Sequence, residues 1–155
     1  CYNVVKGNPC GYADFDYFEL ESTHRGNHYD AFAGVDFSQY DDREGMKLVR
    51  PITKRPMQFV TEIENGNWLV FNNLTFKKRP NKVVLEVKAA NRNAVLEIRR
   101  NSLQGELIAS CPIRSTGNEW GKQAFEVRKL KKKEKLYFVF WNADKDLAIR
   151  SFMFE

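Results

Sequence analysis

The chain has 155 residues, the length of one ordinary domain or of one domain with a fragment of another. Apolar residues make up 43% and aromatic residues 14%, so the chain can bury a core, and abundant phenylalanine favours sheets over helical bundles. No apolar run of about 18 residues occurs, so no membrane span is predicted. The formal net charge is +5, with basic residues interspersed among nearly as many acidic ones.

One dense basic cluster occurs, residues 129–135, with the sequence KLKKKEK. We interpret it as a hydrated loop between two strands, because like charges in a short loop remain in water. A nucleic-acid-binding surface would need a larger basic stripe interleaved with exposed aromatic residues. No nucleic-acid partner is therefore predicted.

The cysteines and histidines do not form a metal-binding pattern. Three cysteines, Cys1, Cys10 and Cys111, leave at least one thiol unpaired, and no Cys-x-x-Cys motif occurs. The two histidines, His24 and His28, lack the neighbouring ligands of a zinc site. No cofactor is predicted, and the cysteines leave the compartment undecided.

Taken in chain order, the sequence alternates between short extended runs and turns. Residues 1–12 are loop-like, 13–21 (ADFDYFELE) predict a strand, and 22–34 form a polar connector that is the best candidate for a domain boundary. Ten further strands are predicted at residues 35–40, 46–49, 59–63, 67–76, 82–89, 94–100, 106–111, 123–128, 135–142 and 148–155. Their period-two alternation predicts an all-β fold, an antiparallel β-sandwich or jelly roll of about ten strands.

Residues 59–76 (FVTEIENGNWLVFNNLTF) read as a β-hairpin. Asn65-Gly66 lies between two apolar-rich runs and suits a two-residue type I′ turn. That turn predicts cross-strand pairs of Ile63 with Trp68, Thr61 with Val70, Glu62 with Leu69, and Val60 with Phe71.

The sequence carries no recognisable catalytic motif. It lacks a nucleophile elbow, a glycine-rich phosphate loop and a serine–histidine or cysteine–histidine arrangement. Paired carboxylates remain, at Asp14/Asp16, Asp41/Asp42, Glu62/Glu64 and Asp144/Asp146. A glycosidase needs two carboxyl groups at a fixed separation, which sequence cannot show, so the chain is not predicted to be an enzyme.

Trp120 is the strongest candidate for a sugar-binding aromatic residue. It lies in the polar segment STGNEWG, and sugar sites combine an exposed aromatic face with amides and carboxylates. Alternatively, Trp120 anchors a loop on the end of the sandwich. Trp68 and Trp141 fall within predicted strands, which favours core or half-core positions.

From residue 35 onward the chain resembles carbohydrate-binding modules of family 6, which are β-jelly rolls of the galactose-binding type. The resemblance covers about four-fifths of the chain and rests on four segments in order: 35–46 (VDFSQYDDREGM), 63–68 (IENGNW), 115–120 (STGNEW) and 148–154 (AIRSFMF). It implies a non-catalytic module that targets an attached glycoside hydrolase to plant-type polysaccharide of the xylan and arabinoxylan class.

The resemblance also implies the site residues. Trp120 would stack on a sugar ring, with Glu62, Asn118 and Asn65 bonding hydroxyl groups. Glu62 stands where the family has a second aromatic residue, and Ala148 where it has an amide. Three readings stay open: a remodelled pocket, a ligand bound elsewhere, such as on the concave sheet face, or lost binding.

The family's structural calcium position is degenerate in this sequence. Asp36 remains, Ser38 replaces a carboxylate, and Arg150 falls where another acid is expected. Calcium needs hard oxygen ligands. The hypothesis is therefore that an Asp36–Arg150 ion pair replaces the ion.

The resemblance also bears on domain organisation and partners. Residues 34–155 form the module, and residues 1–33 are the tail of a preceding domain, as in glycoside hydrolases of family 43, or an extra strand with a connector. The expected partners are an oligo- or polysaccharide and a preceding catalytic domain. The expected location is secreted, periplasmic or at the cell surface. The alternative function is a structural, domain-docking sandwich that has lost its sugar site.

Overall fold

The structure is a computed structural model that describes residues 27–49 and 58–155. The strands are β1 (Tyr29–Asp30), β2 (Val35–Asp36), β3 (Asp42–Glu44), β4 (Lys47–Val49), β5 (Phe59–Thr61), β6 (Trp68–Thr75), β7 (Lys82–Lys88), β8 (Val95–Arg100), β9 (Leu107–Pro112), β10 (Trp120–Glu126), β11 (Lys133–Trp141) and β12 (Ala148–Phe154). A short 3-10 helix spans Phe37–Gln39. Within the described ranges, no helix has the length and apolar character needed to cross a membrane. The strand predicted at residues 13–21 lies outside the described residues.

The strands form two sheets of six strands each. Sheet A has the order β1-β6-β11-β8-β9, and β3 also pairs with β6. Sheet B has the order β10-β7-β12-β5-β4, and β2 also pairs with β12. All these pairs are antiparallel except the short β1–β6 pair. The predicted antiparallel β-sandwich is confirmed.

Phenylalanine side chains from both sheets fill the space between them. Phe71 and Phe138 of sheet A meet Phe152 of sheet B, with ring centroids 4.9 Å and 4.8 Å from it. Phe37 of the 3-10 helix lies edge-on against Phe138 at 5.2 Å. Such aromatic pairs add about 0.5–1.5 kcal/mol each beyond the burial of their area. The aromatic core explains why this composition favours packed sheets.

The predicted hairpin at residues 59–76 is wrong. β5 belongs to sheet B, where it pairs with β4 and β12, whereas β6 belongs to sheet A, where it pairs with β11. None of the predicted cross-strand pairs forms, and the segment between the strands crosses from one sheet to the other. Ile63 is fully buried at this crossing.

The backbone of the Asn65-Gly66 turn gives the physical reason. Gly66 has a φ of 84°, while Asn65 does not have a positive φ. The Asn67 N–H donates to the Glu64 carbonyl at 3.1 Å, which places the glycine third in a four-residue turn. One positive φ at that position is typical of a type II turn, whereas the hairpin-forming type I′ turn needs two. Glu62, which follows the last residue of β5, also has a positive φ, of 51°.

Several strand boundaries also differ from the prediction. The run at residues 35–40 is a two-residue strand followed by the 3-10 helix. β3 lies between the runs predicted at 35–40 and 46–49, and β10 begins at Trp120 rather than at Gln123. Tyr29 and Ala31, within the predicted connector, are buried in the core. Described residues on both sides of position 33 therefore share one core, and the division at that point stays a prediction.

Candidate functional site

Trp120 and Phe59 form an aromatic corner on the outer face of sheet B. Trp120 is the first residue of β10 and is half-buried. Its ring centroid lies 5.5 Å from that of Phe59, with an interplanar angle of 67°. The two strands are separated by β7 and β12, so both side chains must reach over the sheet toward each other. We call this pair of rings the aromatic corner.

Phe59 was not identified from the sequence. It precedes the buried Val60 in β5, so period-two alternation places its side chain on the outer face of sheet B. The sequence alone does not show this position, because Phe59 and Val60 are adjacent apolar residues and Phe59 is in phase with Ile63, which is also buried.

Arg150 covers one face of the Trp120 ring. The guanidinium carbon lies 4.0 Å from the ring centroid, and Nη1 donates to Glu86 Oε1 at 2.8 Å. The Arg150 side chain is 14% exposed, so both contacts are largely shielded from water. A cation over an indole contributes about 2 kcal/mol when it is desolvated. The contact fixes the tryptophan ring and occupies one of its faces.

A β-bulge places Arg150 in this position. β12 follows the register of β7 until a shift between Ile149 and Ser151, which leaves Arg150 as the extra residue. A bulge bends its strand and redirects the extra side chain. Ser151 Oγ donates to Glu86 Oε2 at 3.1 Å, so the carboxylate is bound from two sides.

One donor in this cluster has no acceptor. Arg150 Nε is buried and makes no hydrogen bond to the residues that the structure describes. Buried polar groups are nearly always satisfied by protein, water or ligand. One buried, unsatisfied donor therefore lies beside the aromatic corner, together with the Arg150–Glu86 ion pair.

The predicted Asp36–Arg150 ion pair is not formed. Arg150 pairs with Glu86, while Asp36 pairs through its backbone with Ser151 of β12. Burial raises the pKa of the Asp36 carboxyl, the Glu86 charge raises it further, and the Arg150 charge opposes both.

These residues do not fit a calcium ion. Ser38 offers no carboxylate, and Arg150 brings a positive charge that is paired with Glu86, whereas calcium needs oxygen ligands. In the described ranges, no cluster of three potential metal-ligating side chains occurs. That a metal is absent from this position remains a prediction of the sequence.

Glu62, Asn118 and Asn65 lie in loops at the Trp120 end of the sandwich. Glu62 is exposed and pairs with Lys47 Nζ at 3.3 Å. Asn118 is exposed at a turn closed by Glu119 N–H and the Thr116 carbonyl at 3.3 Å, two residues before Trp120. Asn65 Oδ1 accepts the Asn142 N–H at 2.8 Å. Asn65 thus stabilises the backbone just after β11, whereas the side chains of Glu62 and Asn118 are exposed to solvent.

A second aromatic surface covers the outer face of sheet A. Trp141 is 40% exposed, so its predicted core or half-core position is wrong, whereas Trp68 is half-buried. The Trp141 indole N–H donates to Glu97 at 2.9 Å and that of Trp68 to Glu44 at 2.7 Å. Beside Trp141 lies a cleft of about 380 Å³, lined by Gly66, Arg99, Leu103, Gln104, Val139 and Trp141.

Comparison with solved structures shows that other proteins share this fold. A family 6 carbohydrate-binding module from Clostridium cellulolyticum in complex with xylose has a TM-score of 0.73 and 24% identity, covering 82% of this chain and 99% of that one. A β-1,3-glucan-binding family 6 module from Bacillus halodurans gives 0.74 and 17%, covering 83% and 99%. A family 43 arabinoxylan arabinofuranohydrolase from Bacillus subtilis, in complex with cellotetraose, gives 0.73 and 20%, covering 83% of this chain and 28% of that one.

Sequence comparison identifies the family. No curated protein matches the sequence significantly. The family model described as carbohydrate binding module (family 6) matches residues 38–155, which is more than half of the chain. With the sandwich in place and an aromatic corner on its outer face, this match shows that the chain belongs to carbohydrate-binding module family 6.

Proposed function

We propose that this module binds polysaccharide of the xylan and arabinoxylan class at the aromatic corner and so holds an attached glycoside hydrolase on its substrate. The observation that carries the proposal is the convergence of Phe59 and Trp120 beside the Arg150–Glu86 ion pair. Sugar rings stack their apolar C–H faces on aromatic side chains and bond their hydroxyl groups to charged and amide groups. The corner offers both kinds of contact.

The geometry of the corner indicates how a sugar would lie. Rings whose centroids are 5.5 Å apart are in direct contact and leave no space for a sugar between them. The ligand therefore rests in the angle between the rings, on the surface that Arg150 leaves free. Glu62 and Asn118 would bond hydroxyl groups of the ligand at the rim.

The choice of ligand and partner is supported by two of the similar structures. One is a module in complex with xylose, and another is a family 43 enzyme named for arabinoxylan. Others contain cellobiose or bind β-1,3-glucan, so the ligand has to be tested against these alternatives. Attachment to a hydrolase would raise the effective concentration of enzyme at the polysaccharide. Because such polysaccharides lie outside the cell, we propose that the protein is secreted, periplasmic or at the cell surface.

The test is a titration of intrinsic tryptophan fluorescence with xylo-, cello- and β-1,3-gluco-oligosaccharides. Xylo-oligosaccharides should shift the spectrum and bind most tightly. Trp120→Ala should abolish binding, and Phe59→Ala should weaken it about tenfold through the loss of one stacking contact. Trp141→Ala is the matched control, because it removes a tryptophan from the other sheet. If Trp141→Ala abolished binding while Trp120→Ala did not, the site would be on sheet A.

A structural, domain-docking role is the second candidate function. It is favoured by the Arg150 guanidinium, which already occupies one face of Trp120, and by the exposed Trp141 beside its cleft. In that case none of the three oligosaccharide series would bind. Trp141→Ala would instead weaken association of the module with a neighbouring domain.

A further inference from the structure

The end of the sandwich opposite Trp120 is strongly basic. Two connections meet there, the one between β6 and β7 and the one between β10 and β11. The exposed cations of these connections and of the first position of β11 are Lys77, Lys78, Arg79, Arg128, Lys129, Lys131, Lys132 and Lys133. We call these eight residues the basic end. The Phe76 N–H donates to the Lys132 carbonyl at 2.9 Å, which holds the two connections side by side.

The sequence showed one half of this surface alone. The 129–135 cluster was interpreted as a hydrated loop because like charges in a short loop remain in water. The fold supplies a second basic segment from about 50 positions earlier in the chain. Eight of the 25 Lys and Arg residues of the chain therefore lie at one end of the sandwich.

The basic end has a fixed backbone, unlike an ordinary hydrated loop. Glu134 is buried, with a side chain 3% exposed, and binds Arg100 through two hydrogen bonds of 2.9 Å and 3.1 Å. Glu134 also accepts the Lys131 N–H at 2.7 Å, and Arg100 donates to the Lys129 carbonyl at 2.8 Å. Leu130 is buried between them. A buried bidentate ion pair beneath the loop therefore fixes the backbone that carries the lysines.

Few acidic groups offset these cations. Asp30 pairs with Lys77, and Glu155 lines an adjoining cleft with Lys77 and Lys78. Glu106 pairs with Arg100, which already faces Glu134. Between the two connections lies a cleft of about 250 Å³, lined by Phe76, Lys77, Lys78, Arg79, Leu130, Lys131 and Lys132. Most of the lysines are left without a protein partner among the described residues.

We propose that the basic end binds an acidic polysaccharide by contacts of its cations with the carboxylate or sulfate groups of the polysaccharide. The cations match a polyanion, and the fixed loop lowers the entropy lost on binding. Single-stranded nucleic acid would also need exposed aromatic rings for base stacking. The exposed large aromatic side chain of the described residues, Trp141, lies at the opposite end. A glycan is favoured because the chain belongs to a carbohydrate-binding family.

This site is separate from the aromatic corner. Trp120 begins β10, and the basic connection follows the end of β10, a full strand away. The module would hold a neutral part of a polysaccharide at one end and an acidic part at the other. Failure of one site leaves the other testable.

The experiment measures binding of the whole chain to dextran sulfate, to polygalacturonate and to neutral dextran by titration calorimetry. Dextran and dextran sulfate share a backbone and differ in charge, and polygalacturonate separates uronate from sulfate recognition. We expect binding to one or both acidic polymers, none to dextran, and loss of binding between about 0.02 M and about 0.5 M NaCl. The triple variant Lys78→Ala, Lys131→Ala, Lys132→Ala should weaken binding about tenfold.

The matched control is Arg92→Ala, Arg114→Ala, Lys145→Ala, which removes three exposed cations from the other end. This control variant should leave binding to the acidic polymers unchanged, and so should Trp120→Ala. The basic-end triple variant should still respond to xylo-oligosaccharides. Equal losses in both triple variants would show a net-charge effect and overturn the proposal. It would also be overturned by no binding at low salt, or by tighter binding of duplex DNA or anionic lipid vesicles at equal charge concentration.

Discussion

The two outer faces of the sandwich hold their tryptophans in opposite ways. On sheet B, Arg150 lies against the face of Trp120 at 4.0 Å. On sheet A, Glu97 and Glu44 bind the indole N–H groups of Trp141 and Trp68 at the ring edges. An edge hydrogen bond fixes a ring and leaves its faces available, whereas a stacked guanidinium occupies one face. The comparison shows that exposure alone does not identify the ligand-binding tryptophan, because the family resemblance points to the ring that is more covered.

The largest expected effect comes from removing the cation on sheet B. Arg150→Ala would leave Glu86 half-buried without its partner and would uncover the Trp120 ring. Losing one member of a shielded ion pair, together with the cation–π contact, should lower the free energy of unfolding by about 3 kcal/mol. Chemical denaturation measures the loss.

The matched variant on sheet A is Arg99→Ala. Arg99 pairs with Glu97 at 2.8 Å, but Glu97 also keeps the Trp141 indole N–H. Glu97 would keep that partner, and no cation–π contact would be lost with Arg99, so the loss should be about 1 kcal/mol. Equal losses in the two variants would mean that the stacked cation contributes nothing beyond an ordinary surface ion pair.

Glu97→Gln keeps the shape of the side chain and removes its charge, and its effect should be smaller than that of Arg150→Ala. The hydrogen bond to the Trp141 indole would become neutral and the Arg99 ion pair would be lost. The free energy of unfolding should fall by about 1 kcal/mol, and acrylamide should quench Trp141 fluorescence more strongly as the ring becomes mobile. Glu44→Gln is the parallel control at Trp68. Unchanged quenching in both would mean that packing alone holds these rings.

The sequence was a reliable guide where one strand decides the outcome. The alternation of Leu136, Phe138 and Phe140 predicted an inward face of β11, and all three are buried. Period-two patterns are local, so they predict strands and a sandwich without knowledge of pairing. In β5 the pattern is ambiguous, because Phe59 and Val60 are both apolar, so the sequence could not show that Phe59 lies outward or that it meets Trp120.

Pairing between distant segments could not be predicted in the same way. Asn65-Gly66 is compatible with a hairpin and with a turn between sheets, and the difference lies in one φ angle. The Arg150–Glu86 pair and the joining of Lys132 to Phe76 depend on register and on a bulge, which leave no local trace in the sequence. The candidate site is made of such long-range contacts, so the sequence identified Trp120 and missed its neighbours.

The smallest expected effect concerns the Asp36 carboxyl group, which lies near Glu86 and Arg150 on sheet B. Burial and the nearby Glu86 raise the pKa of Asp36 above its ordinary value of 3.8, against the opposing charge of Arg150. A carboxyl group with a raised pKa in the folded state destabilises the fold when it is ionised, at pH values above that raised pKa. The penalty disappears as the pH falls through the raised pKa toward 3.8, where the unfolded chain is protonated as well.

Asp36→Asn should therefore raise the melting temperature slightly at neutral pH and have no effect below the ordinary pKa of the carboxyl group. Thermal unfolding of both proteins across this pH range measures the difference. Asp42→Asn, on sheet A, is the control for removing one exposed negative charge from the chain. A fall in melting temperature for Asp36→Asn at neutral pH would show that Arg150 outweighs burial and Glu86 at Asp36. The Arg150 guanidinium would then stabilise two carboxylates on sheet B instead of one. Arg150→Ala should in that case lower the free energy of unfolding by more than about 3 kcal/mol.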